Sequence, residues 1–123
     1  MKRSLVFLVS LVLAAPLFSS DDFPDEWRTV AEKSDFRATS SYDETMAFFL
    51  KAEAAAPGLI RVTDFGSSGQ GRPLPLVIVS SDGASTPEAA TATGKPILLL
   101  QSCIHAGEVD GKDATMMIVR DIA

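Results

Sequence analysis

Apolar residues are grouped along the chain in stretches whose internal spacing differs, and each spacing predicts a different element. Residues 5–15 (LVFLVSLVLAA) form a run broken only by Ser10, directly after the basic start Met1-Lys2-Arg3. The run suits the apolar core of a secretory signal and falls short of the roughly 20 residues that span a bilayer. Residues 1–20 are therefore expected to be a signal peptide, leaving no stable membrane anchor in the mature chain. Residues 21–41 are polar, with Trp27 and Phe36 as isolated large apolar side chains, the pattern of an N-terminal arm or short helix. At residue 42 the pattern changes. Ser41 stands in a capping position, Asp43 and Glu44 suit a first turn, and Met46, Phe49, Leu50 and Ala54 supply an apolar face. Pro57-Gly58 ends this helix.

Alternation then predicts strands over residues 59–65 (LIRVTDF) and 74–80 (LPLVIVS), joined as a hairpin through GSSGQGRP. Pro75 lacks an N–H, which places the second strand at an edge or a bulge. Residues 81–95, rich in Ala, Thr, Ser and Gly with Pro87 among them, read as a surface connection. Residues 96–102 (PILLLQS) are continuously apolar, as expected of a strand buried on both faces of an α/β sheet. From residue 110 a helix is predicted with Ala114, Met117, Ile118 and Ile122 on one face. Its pattern reaches Ala123 without a cap, and these elements make a thin core for about a hundred residues. The chain is accordingly expected to be the N-terminal part of a larger α/β domain.

Charge narrows the choice of partners. The 123 residues carry a net charge of −5, and the leader contributes Lys2 and Arg3 but no acid, so the remainder is more acidic still. With no Lys/Arg cluster, there is no electrostatic footprint for a phosphate backbone, and nucleic acid is not an expected partner. Cys103 stands alone, which excludes an intrachain disulfide and fits a small buried side chain better than a nucleophile. The glycine-rich stretch from Gly66 to Arg72 is not a phosphate loop, because Pro73 and a strand follow it where a helix N-terminus would be needed. It reads as a turn.

His105 and Glu108 carry the candidate chemistry. They lie just past the carboxyl end of the predicted buried strand, where α/β sheets place their ligand sites. An imidazole nitrogen and a carboxylate are first-choice zinc ligands, and Ala106 and Gly107 leave room for them to converge. Catalytic zinc takes three protein ligands and keeps one position open, so a ligand is missing from this set. Asp110 and Asp113 are read as helix N-terminal charges or as second acceptors for a ligand histidine, the former preferred.

At these residues the chain resembles the zinc metallocarboxypeptidases. The stretch from Phe65 to Ser80 (FGSSGQGRPLPLVIVS) looks like the glycine-rich hairpin G-x-S-x-x-G-R-x-L that opens their catalytic domain. The stretch from Lys95 to Glu108 (KPILLLQSCIHAGE) looks like the strand and H-x-x-E loop that follow it. The resemblance covers residues 42–123, and two motifs in the right order are more specific than either alone. It implies the N-terminal part of a mixed-sheet α/β/α domain, with one zinc ion held by His105, Glu108 and a later histidine, and cleavage of C-terminal residues from peptides. The zinc would polarise the scissile carbonyl and acidify water, and a glutamate would carry the proton to the leaving amine. That glutamate, the third ligand and a carboxylate-binding arginine are expected beyond Ala123, so no catalytic residue is assigned here. Gly107 departs from the usual H-x-R-E, which leaves open the related amidohydrolases that deacylate N-acyl amino acids. A secreted binding domain, in which His105 and Glu108 only satisfy local hydrogen bonds, is the non-enzymatic alternative.

Expressed in a bacterium with its own N-terminus, the protein should lose about twenty residues on export. N-terminal sequencing reads this directly, and an intact Met1 on soluble cytoplasmic protein would contradict it.

Overall fold

The computed structural model describes residues 23–123, so the expected signal peptide lies outside the described residues. The arm folds first into a 3₁₀ turn, Asp25–Trp27, and then a one-turn helix α1, Val30–Lys33. Helix α2 follows over Tyr42–Ala55, then strands β1, Ile60–Ser67, and β2, Pro73–Val79. A short helix α3, Pro87–Ala92, and helix α4, Asp110–Ile122, complete the order. The result is a mixed α/β arrangement of helices around a small antiparallel hairpin.

Local chemistry explains most element boundaries. Thr29 and Ser41 each accept a bond from the backbone N–H three residues on, while Glu32 and Glu44 reach back to the cap N–H, giving α1 and α2 reciprocal capping boxes. Strands β1 and β2 pair in register from Ile60↔Val79 to Asp64↔Pro75, and the register slips between Asp64 and Ser67. The irregularity therefore falls beside Pro75, which has no N–H for the ladder. The glycine-rich connection is a turn as expected: Gly71 N–H bonds to Ser68 O at 2.9 Å, and Gly71 has φ +75. Residues 81–95 hold more structure than a surface connection, because Thr86 caps Ala89 N–H and Pro87 occupies the first turn of α3.

The core is formed by Phe48, Phe49 and Ala52 of α2, Ile60 of β1, and Met116 and Val119 of α4. Both long helices are rotated by about one position from the faces predicted above. In α2 the buried positions are Thr45, Phe48, Phe49 and Ala52, while Leu50 is 52% exposed and Ala54 is exposed. Adjacent phenylalanines are both buried because the arm supplies a second surface: Trp27 meets Phe48 edge-on at 6.0 Å, and Phe48 meets Phe49 at 6.1 Å. In α4 the buried set is Asp113, Met116, Val119 and Arg120, whereas Ala114, Ile118 and Ile122 are exposed. Two polar side chains thus share the inner face with two apolar ones, since both find partners on the arm.

The predicted strand over residues 96–102 is a correction. The segment has no regular structure and makes no hydrogen bond among the described residues, and Ile97, Leu98, Leu99 and Leu100 are 69, 82, 73 and 53% exposed. A strand buried on both faces needs neighbouring strands and covering layers, and the hairpin is engaged by α2 instead. Cys103 is likewise exposed rather than buried.

Arg120 is the most heavily tied charge in the fold. Its Nη1 lies 2.8 Å from both Glu32 carboxylate oxygens and 3.2 Å from Trp27 O, Nε donates to Asp121 at 2.9 Å, and the guanidinium sits 3.7 Å from the Phe23 ring centre. Burial alone would raise the Glu32 carboxyl, but the Thr29 N–H and the Arg120 guanidinium together hold it below its ordinary value of 4.5. A depressed carboxyl stabilises the fold above its unfolded pKa, and that stability is lost as pH falls through the lower folded value. Glu32→Gln leaves the buried guanidinium with only the half-exposed Asp121 carboxylate as counter-charge, at a cost of about 3 kcal/mol at pH 7. Urea unfolding of both proteins at pH 7 and pH 3 should show the gap shrinking at the lower pH. An equal gap at the two pH values would contradict the pairing.

Candidate metal centre

The chain from Ser102 to Gly111 makes a loop whose ends lie close together. A Cβ built on Gly111 would stand 2.9 Å from Ser102 Cβ, so only glycine lets the first turn of α4 approach this closely. His105 to Glu108 forms a β-turn at the tip, with Glu108 N–H bonded to His105 O at 3.3 Å and Gly107 at φ +94 in its third position. This turn brings the two predicted ligands together. His105 Nδ1 lies 3.0 Å from Glu108 Oε1, with the side chains 75 and 63% exposed.

The arrangement suits a zinc ion on two counts. Donors each about 2.0–2.1 Å from one ion at a tetrahedral angle are about 3.3 Å apart, close to the observed separation. The donor types also match, since an imidazole nitrogen and a carboxylate oxygen are both zinc ligands. His105 is the only histidine of the chain, and no group of three His, Cys, Asp or Glu side chains able to hold a metal occurs among the described residues. The candidate centre therefore has two donors here.

The nearby carboxylates take different roles. Asp110 is exposed in the first turn of α4, where a negative charge suits the helix dipole. Asp113 also lies in the first turn of α4, as a helix N-terminal charge should, but it is buried and its partners are on the arm and not at His105. It is 4% exposed and accepts bonds from Thr39 Oγ1, from Ser40 Oγ at 2.9 Å and from Ser40 N–H at 3.4 Å. Lys112 Nζ donates to the Ser40 carbonyl. Sequence reading overlooked these contacts because they join residues more than seventy positions apart. The faint signal was the spacing of Asp113, Met116 and Arg120, which puts all three on one helical face.

The zinc carboxypeptidase family model matches residues 45–123, and the chain belongs to that family. No curated protein and no solved structure matches. The match contains α2 from Thr45 onward, the hairpin, the 105–108 turn and α4, so the paired donors lie within the matched region.

A Cβ at position 107 meets nothing within 4 Å, so Gly107→Ala is penalised through backbone conformation and not through a clash. Forcing alanine to positive φ costs about 1–2 kcal/mol. The turn should open, and NMR of the single histidine should show the His105 ring losing contact with the Glu108 side chain. Unchanged shifts throughout residues 105–108 would show that the turn does not depend on glycine.

Proposed function

We propose that the protein is an exported zinc-dependent metallocarboxypeptidase that removes C-terminal residues from peptides, and that this chain is the N-terminal part of its catalytic domain. Family membership and the convergence of His105 Nδ1 and Glu108 Oε1 to 3.0 Å carry the reading. His105 and Glu108 would hold the ion, which when bound supplies Lewis acidity for carbonyl polarisation and an acidified water. The turn orients both donors toward one point and holds them at the surface, where a peptide end has access.

Two further observations support an incomplete site. The exposed run from Ile97 to Leu100 and the outward stripe of Ala114, Ile118 and Ile122 are apolar surfaces of the kind a larger domain buries. Two donors also fall one short of a catalytic zinc set. Export rests on the basic start and the short apolar run of residues 1–20, and no described helix is long and apolar enough to cross a membrane. Gly107 favours one second reading. It stands where the resembled peptidases usually carry the arginine of H-x-R-E, and without that charged contact the alternative is release of an acyl group from an N-acyl amino acid by the same metal chemistry.

In the protein encoded by the complete reading frame, His105→Ala should abolish stoichiometric zinc and Glu108→Gln should weaken it, measured by elemental analysis. The 123-residue chain alone should turn over neither peptides nor N-acyl amino acids, even with zinc added. Equal zinc content in the wild type and both variants would overturn the metal site. Chelator-sensitive turnover by the short chain that is lost in His105→Ala would overturn its incompleteness.

A further inference from the structure

Helix α4 begins without a capping side chain: Val109 occupies the cap position, and its side chain has no acceptor for the N–H groups of the first turn. What fixes this turn is tertiary. Thr39 and Ser40 of the arm bind both oxygens of the buried Asp113 carboxylate, Lys112 reaches back to the Ser40 carbonyl, and Gly111 abuts Ser102. Glu108 stands two residues before α4, so its place is set by wherever that first turn is held. Within the turn Glu108 N–H bonds to His105 O, and the two side chains are exposed and bonded only to each other, so neither side chain is tied to the rest of the fold among the described residues.

We propose that Asp113 is a positioning residue for the metal-binding turn: held by the Thr39 and Ser40 hydroxyls, it locks the first turn of α4 to the arm and thereby fixes His105 and Glu108. The inference rests on the zinc reading for its consequence but on the hydrogen bonds alone for its geometry. It gives the arm a function that its sequence did not disclose. A carboxylate suits the position because its two oxygens accept from two hydroxyls and a backbone N–H at once. An alanine there leaves the buried Ser40 hydroxyl without its acceptor and removes the partner of the Thr39 hydroxyl. Thr39→Val is the gentler probe, since it removes one donor while keeping the shape, and Thr39→Ser restores the hydroxyl.

The test uses the 123-residue chain and two readouts. Backbone NMR order parameters over residues 105–108 report positioning without any metal. Zinc titration followed on the imidazole resonances of the one histidine reports affinity. Asp113→Ala and Thr39→Val should lower the order parameters of the turn and weaken zinc binding about tenfold, the scale of lost ligand-orienting contacts. Thr39→Ser should recover both. Ile60→Val, which loosens the core from β1, should change neither. Unaltered order parameters and affinity in folded Asp113→Ala, or equal effects from Ile60→Val, would overturn the proposal. Should Asp113→Ala not fold, the Thr39 pair decides. If the wild-type imidazole does not respond to zinc, the two donors do not hold the ion by themselves, and the order parameters alone decide whether Asp113 positions the turn.

Discussion

Burial of the Arg120 guanidinium is the constraint around which the N-terminal half of the structure is arranged. An unpaired buried charge costs several kcal/mol, so the fold forms only where Arg120 meets a counter-charge and acceptors for its remaining N–H groups. Glu32 supplies the charge, and it can do so because the Thr29 capping box already orients its carboxylate. Trp27 O accepts a further bond, and Trp27 then presents its ring edge to Phe48. One ion pair thus makes the order of the arm, the seating of α4 and the burial of α2 interdependent. Removal of either partner is expected to loosen all three, in contrast with the exposed Arg37–Asp35 and Lys95–Asp82 pairs, where solvent screens the attraction.

The same arm touches α4 at two heights. Arg120 joins Glu32 near its end, and Asp113 joins Thr39 and Ser40 near its start, about two helical turns apart. Between them Met116 and Val119 enter the apolar core. Polar ties at both ends with apolar packing between them fix the rotation of a helix about its axis, which apolar contact alone leaves adjustable. This rotation turns Ala114, Ile118 and Ile122 outward.

Sequence patterns disclosed the parts of the fold governed by local rules. The hairpin, its glycine turn and the irregularity at Pro75 follow from alternation and from the missing proline N–H. The start of α2 follows from Ser41 and Glu44, and the His105–Glu108 pairing follows from two donors three residues apart around a glycine. Features governed by distant residues were not legible. The faces of α2 and α4 were misplaced because periodicity counts Asp113 and Arg120 as solvent-facing, whereas Thr39, Ser40 and Glu32 make their burial favourable. Phe48 looked surplus to the stripe until Trp27 provided a surface for it. The run at 96–102 has the composition of a buried strand, but composition cannot supply the neighbouring strands that such burial requires.

That exposed run and the His105–Glu108 turn are continuous in sequence, which couples their energetics. Burying one leucine or isoleucine side chain contributes about 1.5–3 kcal/mol, so covering Ile97, Leu98, Leu99 and Leu100 would offset the ordering cost of the residues that bear them, which is of the same size. Cover on the run restrains the chain entering the turn at Ser102, and Asp113 restrains the chain leaving it through α4. A loop pinned at both ends has less entropy to lose when His105 and Glu108 close on an ion. Under the proposed zinc reading, packing around 97–100 and affinity for the ion would rise together, because both draw on the order of a single short stretch of backbone.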